Sequence, residues 1–277
     1  MHLQTGVITQ ESYLKNVKSN TFLDLEKYND DFLGRNKNDL SEYHSKWTND
    51  SFHTWSRQFE YPYFFLSIEE YIKKNPDKKK IKILDAGSGL TFFPYLLSHA
   101  FPQVEVVCTD YDNILVNGYS RVNKNEKNLV KFVQSDLRDK KFPDKEFDII
   151  YCVSVLEHTK DYGRIIENFN SYLVSGGQLI LSFDISIDGS RDISVEGADN
   201  LLKALNQKFV PMSTDFLPTS KELKEDKFLT TEFVKTLDKK LLPWRSPYKN
   251  FLWCLKNLKM PKFYFNLALY CQTYLKK

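Results

Sequence analysis

The sequence predicts an α/β fold in which a mostly parallel sheet is covered by helices on both faces. Over residues 81–185, short apolar segments rich in β-branched residues alternate with segments whose apolar residues have helical spacing. This alternation is typical of parallel strands, because each strand needs a long crossover connection before the next. The strand segments are nearly continuous apolar runs, as expected where a sheet is buried on both faces.

The predicted elements follow one another in a regular order. The first strand, at residues 81–84, ends at Asp85, and a helix is expected over residues 90–100 after the intervening glycines. Further strands are expected at residues 104–109, 129–133, 147–153 and 178–183, with helices at 113–122 and 162–173. The pair Gly176-Gly177 is expected to end the last of these helices.

The turn after the first strand has the composition of a ligand-binding loop. Gly87 and Gly89 lack a Cβ, so backbone N–H groups can approach a ligand at the carboxyl end of the strand. The third glycine of a dinucleotide fingerprint would stand at position 92, where the chain has Phe92. The carboxylate of Asp85 would repel a phosphate and attract a cation. The loop therefore predicts a ligand other than a dinucleotide.

Five segments in order resemble the class I S-adenosylmethionine-dependent methyltransferases. They are Leu84-Asp-Ala-Gly-Ser-Gly89, Asp110 after the second strand, Ser135-Asp-Leu137, the segment 147–158 and the segment 173–181. The resemblance covers residues 81–185. It implies a Rossmann-like, seven-stranded, mostly parallel sheet and S-adenosyl-L-methionine as cofactor.

The resemblance also implies nine cofactor-binding residues. Asp85 would attract the ammonium group of the cofactor, and Asp110 would accept hydrogen bonds from both ribose hydroxyls; either acid could instead only cap the turn or helix that follows it. The other seven line the loops after the strands and would contact the methionine part, the ribose or the adenine. They are Gly87, Ser88, Gly89, Tyr111, Asp136, Leu137 and Ser154.

A catalytic base and acceptor-binding residues are expected outside this set. His158 follows the fourth strand at the rim where cofactor and acceptor would meet, and histidine titrates near neutral pH; the alternative is a histidine that only packs or bonds a loop carbonyl. Substrate contacts are expected from His53, Trp55, Arg57 and Tyr61, with hydrophobic packing of these residues as the alternative. The five histidines show no metal-ligand spacing, so no metal is expected.

The chain divides into three predicted parts. Residues 1–75 form a helical N-terminal cap, in which Pro62 should prevent a regular helix through the aromatic run at 52–65. Residues 76–185 form the cofactor-binding core. Residues 186–277 complete the sheet with a helix at 195–205, a strand at 208–211 and a final antiparallel strand at 267–275, with an insertion at about 212–262.

Composition indicates a cytoplasmic protein. The four cysteines show no paired spacing, which fits a reducing compartment, and no apolar run is long enough for a membrane span. Residues 239–277 hold nine basic residues, no acidic residue and nine aromatic residues. This segment could contact an anionic membrane, making the protein membrane-peripheral, or a phosphorylated substrate or RNA; packing of its aromatic residues on the core is the favoured interpretation.

The predicted function is methyl transfer to an oxygen, less readily a nitrogen, of a small molecule in glycan biosynthesis, such as a sugar or glycan precursor. Two alternatives remain open: a lipid or RNA methyltransferase that uses the basic C-terminal segment, and a non-catalytic binder that keeps the cofactor fold. The Asn-Pro-Pro-Tyr motif of amino-group nucleic-acid methylases is replaced by Ser154-Val-Leu-Glu157, which disfavours nucleic acid as a partner. The intact acids at positions 85, 110 and 136 disfavour a binder.

Overall fold

A computed structural model describes residues 3–48, 50–127, 130–159, 161–214, 216–242, 247–256 and 265–277. Within these residues the strands form one sheet with the order β1-β9-β6-β5-β2-β3-β4, in which β7 pairs with β6 and β8 with β9. The strands are β1 Gly6–Val7, β2 Ile81–Ala86, β3 Val104–Asp110, β4 Lys131–Gln134, β5 Phe147–Val153, β6 Leu173–Ser186, β7 Ile193–Ser194, β8 Phe209–Pro211 and β9 Leu267–Lys276.

The topology confirms the predicted fold class. Strands β2 to β6 pair in parallel, and β9 pairs antiparallel with both β6 and β8, as expected for the final strand. The seven predicted strands are present, although residue 129 at the start of the third lies outside the described residues. Two strands of two residues each, β1 and β7, extend the sheet beyond the predicted seven, and periodicity cannot detect segments that short.

The helices form a layer on each face of the sheet. They are α1 Gln10–Asn16, α2 Asn20–Asn36, α3 Ser41–Lys46, α4 Arg57–Lys74, α5 Phe93–Ala100, α6 Ile114–Asn125, α7 Tyr162–Tyr172, α8 Val195–Lys208, α9 Thr231–Leu237 and α10 Pro247–Lys256. One apolar cluster joins α2, α4, α5 and α6 to one face, and a second joins α7 and α8 to the other. The N-terminal helices therefore share a hydrophobic core with the sheet.

The helix α4 contradicts the expectation that Pro62 interrupts the aromatic run. Proline has no N–H, so the carbonyl of Gln58, four residues earlier, loses its usual helical partner. The side-chain amide of the buried Asn16 donates to that carbonyl at 2.8 Å, and the hydroxyl of Tyr13 donates to Oε1 of Gln58 at 2.6 Å. The helix continues through the proline because α1 supplies the missing donor.

The glycine pair at 176 and 177 also has a different role from the predicted one. Helix α7 ends at Tyr172, and β6 begins directly at Leu173, which pairs with Phe147. The register then shifts, so that Ile149 pairs with Gln178. Gly176 has a positive φ of 72°, which glycine adopts without a steric penalty. The glycines therefore form an irregularity within a strand.

The structure bears on two predictions from composition. No helix in the described part of the chain is both long and apolar enough to cross a membrane. The four cysteines are buried free thiols. Three aromatic residues of the basic segment, Phe265, Tyr270 and Tyr274, are buried in the core, while Trp244, Phe263 and Tyr264 lie outside the described residues.

Candidate functional site

The loop after β2 folds back onto the end of β3. The N–H groups of Gly87 and Ser88 both donate to the carbonyl of Thr109, at 2.8 and 3.0 Å. Gly87 and Gly89 have φ values of 78° and 55°, in the left-handed region that favours glycine. This conformation holds the loop at the carboxyl edge of the sheet, where open α/β sheets bind their ligands.

Neighbouring side chains approach both glycines closely. A Cβ at Gly87 would lie 2.6 Å from Val155 Cγ2, and a Cβ at Gly89 would lie 2.5 Å from the hydroxyl of Tyr43. The loop is thus enclosed between the turn after β5 and helix α3. Tyr43 was not identified from the sequence, because a single tyrosine in a short polar helix gives no periodic or motif signal.

Asp110 is held in position by backbone donors. Its Oδ2 accepts from the N–H of Gly89 at 3.1 Å, and its Oδ1 accepts from the N–H of Asp112 at 3.0 Å. Burial raises the pKa of Asp110, although these N–H groups oppose the change. Asp112 in turn accepts from Lys46 at 2.7 Å and from the indole of Trp47 at 3.3 Å. These two bonds hold the end of α3 against the loop.

Asp85 is a buried carboxylate whose surroundings favour a cation. It is 4% exposed, and the Cys108 thiol lies beside it, with Sγ 3.9 Å from Oδ2. Burial, with the nearby charge of Asp110, raises the pKa of Asp85 to about 8. Among the described residues, no Lys, Arg or His lies within ion-pair distance of it. An ammonium group beside it would restore the charged form, so this acid fits the predicted role.

The predicted adenine-binding end is more exposed and already has hydrogen-bond partners. Arg138 binds both oxygens of Asp136, at 2.9 and 2.5 Å, and lowers the pKa of Asp136 to about 2. The carbonyl of Leu137 accepts from Asn168 at 2.9 Å. Tyr111 is 65% exposed. A ligand that hydrogen-bonds to the carboxylate of Asp136 would therefore share this acceptor with Arg138.

On the other side of the loop, Ser154 and Arg57 both contact Glu60, which was not predicted as a site residue from the sequence. Glu60 of α4 is fully buried and accepts from Ser154 Oγ at 2.6 Å and from Ser182 Oγ at 2.5 Å, and it forms an ion pair with Arg57. Ser154 follows β5 with a positive φ of 46°, a strained conformation for a non-glycine residue. The detectable signal was an acid within an aromatic run, Phe59-Glu60-Tyr61.

His158 lies at the end of a 3₁₀ turn that spans Leu156–His158 and is paired with a second unpredicted residue. Its Nδ1 is 3.2 Å from Oδ1 of Asp192, and its ring is 56% exposed. Burial alone would lower the pKa of His158, but the Asp192 bond and the charge of Glu157 raise it above its ordinary value. The pairing leaves Nε2 as the nitrogen that can exchange a proton with a ligand.

The remaining predicted substrate residues have partners within the cap and at the start of α5. His53 Nδ1 lies 2.6 Å from Asp50 Oδ2, and His53 Nε2 lies 3.0 Å from Glu26 Oε1, so both ring nitrogens are engaged. Trp55 is 1% exposed, and the ring of Tyr61 packs on those of Phe92 and Phe93 at 4.9 and 5.0 Å. The burial of Trp55 and the ring contacts of Tyr61 are those of the packing alternative, whereas His53 is held by two acids.

A possible metal-ligand set lies in the cap. Ligand atoms of Asp30, Asp50 and His53 lie within 4.8 Å of one another. Since Asp50 and His53 are already hydrogen-bonded to each other, the set is explained without an ion.

Comparisons with known proteins agree with this geometry. Residues 84–181 match the family of proteins described as Methyltransferase domain. Phosphoethanolamine N-methyltransferase 1 of Arabidopsis thaliana is 29% identical over 119 residues, which cover 42% of this chain and 23% of that enzyme. The chain thus spans under a quarter of the length of this curated relative.

Two solved structures share the fold. The PH0226 protein of Pyrococcus horikoshii OT3 has a TM-score of 0.52 at 15% identity and covers 86% of this chain and 99% of its own. Phosphoethanolamine N-methyltransferase 2 of Haemonchus contortus, solved with phosphomonomethylethanolamine and S-adenosylhomocysteine, has a TM-score of 0.52 at 17% identity and covers 90% of this chain and 60% of its own. Together with the enclosed glycine loop and the acids that follow β2 and β3, the match to the methyltransferase domain identifies residues 84–181 as a domain of the class I S-adenosylmethionine-dependent methyltransferase type.

Proposed function

We propose that the protein transfers a methyl group from S-adenosylmethionine to a small polar acceptor bound beside His158. One observation carries the proposal: His158, which is paired with Asp192, belongs to the turn that encloses the glycine loop. Val155 in this turn lies against Gly87, and its carbonyl accepts from the N–H of His158 at 3.1 Å. A base is thereby held next to the loop that would bind the cofactor.

The residues present suit the cofactor. Asp85 would hold its ammonium group, Asp110 its ribose hydroxyls, and the loop from Gly87 to Gly89 would follow its methionine part. When bound, the cofactor supplies an electrophilic methyl group on a sulfonium. The protein has to align the acceptor with this methyl group, and orientation of this kind can account for ~7–11 kcal/mol of a barrier.

His158 and Asp192 would together remove the acceptor's proton. Nε2 of His158 would take it, and Asp192 at Nδ1 would orient the ring and stabilise its charged form. A hydroxyl needs such a base, which favours an oxygen acceptor such as a sugar or glycan precursor. An amine that binds in its protonated form needs one too, and the N-methyltransferase relatives favour this nitrogen alternative.

Binding and product formation test this function separately. Calorimetry should detect S-adenosylmethionine and S-adenosylhomocysteine and no binding of NADH. Methyl-labelled cofactor, incubated with pools of sugars and of amino alcohols, should then yield a labelled product whose mass spectrum identifies an O-methyl or N-methyl group. Absence of binding by both sulfur compounds would refute the proposal at its first step.

A second candidate property, peripheral membrane binding, rests on α10. Phe251, Leu252 and Leu255 are 46%, 45% and 55% exposed on this helix, while Cys254 beside them is buried. Exposed apolar residues within a basic segment suit an anionic lipid surface. Co-sedimentation with acidic vesicles should fall with added salt and with the double variant Phe251→Ser, Leu255→Ser; equal binding to neutral vesicles, or none, would refute it.

A further inference from the structure

Four carboxylates converge beyond the ends of β5 and β6, with fewer cations than are needed to pair them. They are Glu60, Glu157, Asp184 and Asp192. Arg57 pairs with Glu60, and Asp192 is paired with Arg191 at 3.4 Å and with His158. In the described part of the chain, neither Glu157 nor Asp184 has a cationic group within ion-pair distance.

Glu157 and Asp184 also retain unused acceptor atoms. Glu157 is 5% exposed; its Oε1 accepts from the backbone N–H of Asp184 at 3.2 Å, but its Oε2 is buried and accepts from no group. Oδ1 of Asp184 is likewise buried without a hydrogen-bond partner. Leaving a buried charged acceptor unsatisfied is costly, so these atoms point to a donor supplied from outside the chain.

The position of the pair relates it to the reaction centre. Glu157 immediately precedes His158. Asp184 lies two residues beyond Ser182 on β6, and therefore on the same face of the sheet as the hydroxyl that bonds Glu60. A group held by Glu157 and Asp184 would thus lie next to the candidate base.

The electrostatics of the pair suit a cation. Burial raises the pKa of Asp184, and the neighbouring carboxylates add to this change while Arg57 opposes it. Burial also raises the pKa of Glu157 to about 7; His158 and Arg57 oppose this change and Glu60 adds to it. Among the described residues, the charged or titratable groups around the pair are Glu60, Arg57, His158, Asp192 and the thiols of Cys152 and Cys271. A bound cation would favour the ionised carboxylates, so binding should release protons.

We propose that Glu157 and Asp184 form a subsite for a protonated amine of the acceptor, whether that nitrogen or a neighbouring hydroxyl receives the methyl group. An ammonium group offers both the charge and the N–H donors that the two unused oxygens lack. This inference rests on the proposed function, since it names a chemical class of acceptor for the same site.

A matched pair of probes tests the subsite. Ethanolamine, protonated near neutral pH, and propan-1-ol have nearly the same shape and differ in charge. With protein saturated by S-adenosylhomocysteine, NMR titration should show ethanolamine binding at least about tenfold more tightly than propan-1-ol. Equal affinities, or binding of neither probe, would overturn the inference.

Isosteric variants identify the residues responsible. Glu157→Gln and Asp184→Asn should each weaken ethanolamine binding about tenfold while the affinity for S-adenosylhomocysteine stays unchanged. Asp199→Asn, which removes an exposed acid paired with Lys203 on α8, serves as the control and should change neither. If the variants instead weaken S-adenosylmethionine relative to S-adenosylhomocysteine, the pair serves the sulfonium and the inference is wrong.

A measurement on the unmodified protein does not depend on the variants folding. Ethanolamine binding should strengthen between about pH 6 and about pH 8 and release protons, since ethanolamine itself stays charged over this range. An affinity that is constant with pH would count against the subsite. Normal cofactor binding with no preference for ethanolamine would reject this inference alone, whereas loss of cofactor binding would reject the proposed function.

Discussion

The two sides of the sheet edge, which we propose bind the cofactor and the acceptor, are built in different ways. On the cofactor side, Asp85, Asp110 and Asp136 each follow a strand, and all lie within one continuous stretch of sequence. On the acceptor side, Glu60, His158, Asp184 and Asp192 come from α4, the turn after β5, β6 and the loop before β7. The first arrangement leaves a motif in the sequence, and the second leaves isolated residues that only the fold brings together.

The two sides also differ in how their charges are satisfied. Asp110 and Asp136 accept bonds from the protein itself, and of the cofactor-side acids Asp85 alone is buried without an ion-pair partner among the described residues. On the acceptor side, four carboxylates, two serines and a histidine lie near Arg57 and Arg191. We therefore expect changes on the cofactor side to alter cofactor affinity and changes on the acceptor side to alter turnover.

The largest expected effect is that of His158→Gln. A general base contributes ~10²–10⁴-fold, so turnover should fall at least about a hundredfold while affinity for S-adenosylmethionine stays nearly constant. Single-turnover kinetics and calorimetry on the same preparation measure the two quantities. Near-normal turnover would show that the acceptor loses its proton to another group or needs no base.

The next largest expected effect is the loss of cofactor affinity on changing Asp110. Asp110→Ala removes a charged acceptor and should weaken cofactor binding by ~1.5–3 kcal/mol, the range for hydrogen bonds to charged groups. Asp136→Ala is the matched comparison, and we expect a smaller loss because Asp136 is already occupied by Arg138. Calorimetry that ranks the two in the reverse order would show that the adenine end dominates binding.

The pH profile should separate Asp192 from His158. Since the pKa of His158 is raised, its neutral, active form predominates only above that pKa, and turnover should rise as pH increases through it. Asp192→Asn removes one of the two carboxylate charges that raise this pKa, and asparagine tolerates the φ of 52° at this position. The rise should therefore move to lower pH in this variant. An unshifted profile would show that another group controls the rate.

The smallest expected effect concerns His53, in the cap. Its hydrogen bond to Asp50 raises its pKa to about 9, against about 6.5 in the unfolded chain. The resulting stabilisation, about 1 kcal/mol after solvent screening, is fully present below about pH 6.5 and is lost as pH rises through about 9. Urea denaturation of His53→Ala should show a flatter pH dependence. A raised KM for the acceptor in this variant would instead support the predicted substrate contact.

The sequence predicted the sheet well, because buried parallel strands leave continuous apolar runs, and β5 occupies the residues expected. It could not predict the helix through Pro62, since the compensating donor, Asn16, lies 42 residues away. The same limit applies to the site. Glu60 and Asp184 each stand as a single acid within an apolar segment, which marks the residue as unusual but does not show its role, because that role depends on contacts between distant segments.

The burial of Glu60 has a consequence for how the chain is made. Its serine partners lie 94 and 122 residues later in the sequence, so α4 leaves the ribosome long before either hydroxyl exists. Until residue 154 is synthesised, this carboxylate has only the neighbouring Arg57 of these three partners, and it gains the second serine only with β6. We expect the N-terminal helices to complete their docking late, as a step governed by long-range contacts, and nascent chains that end before residue 182 to remain sensitive to proteases.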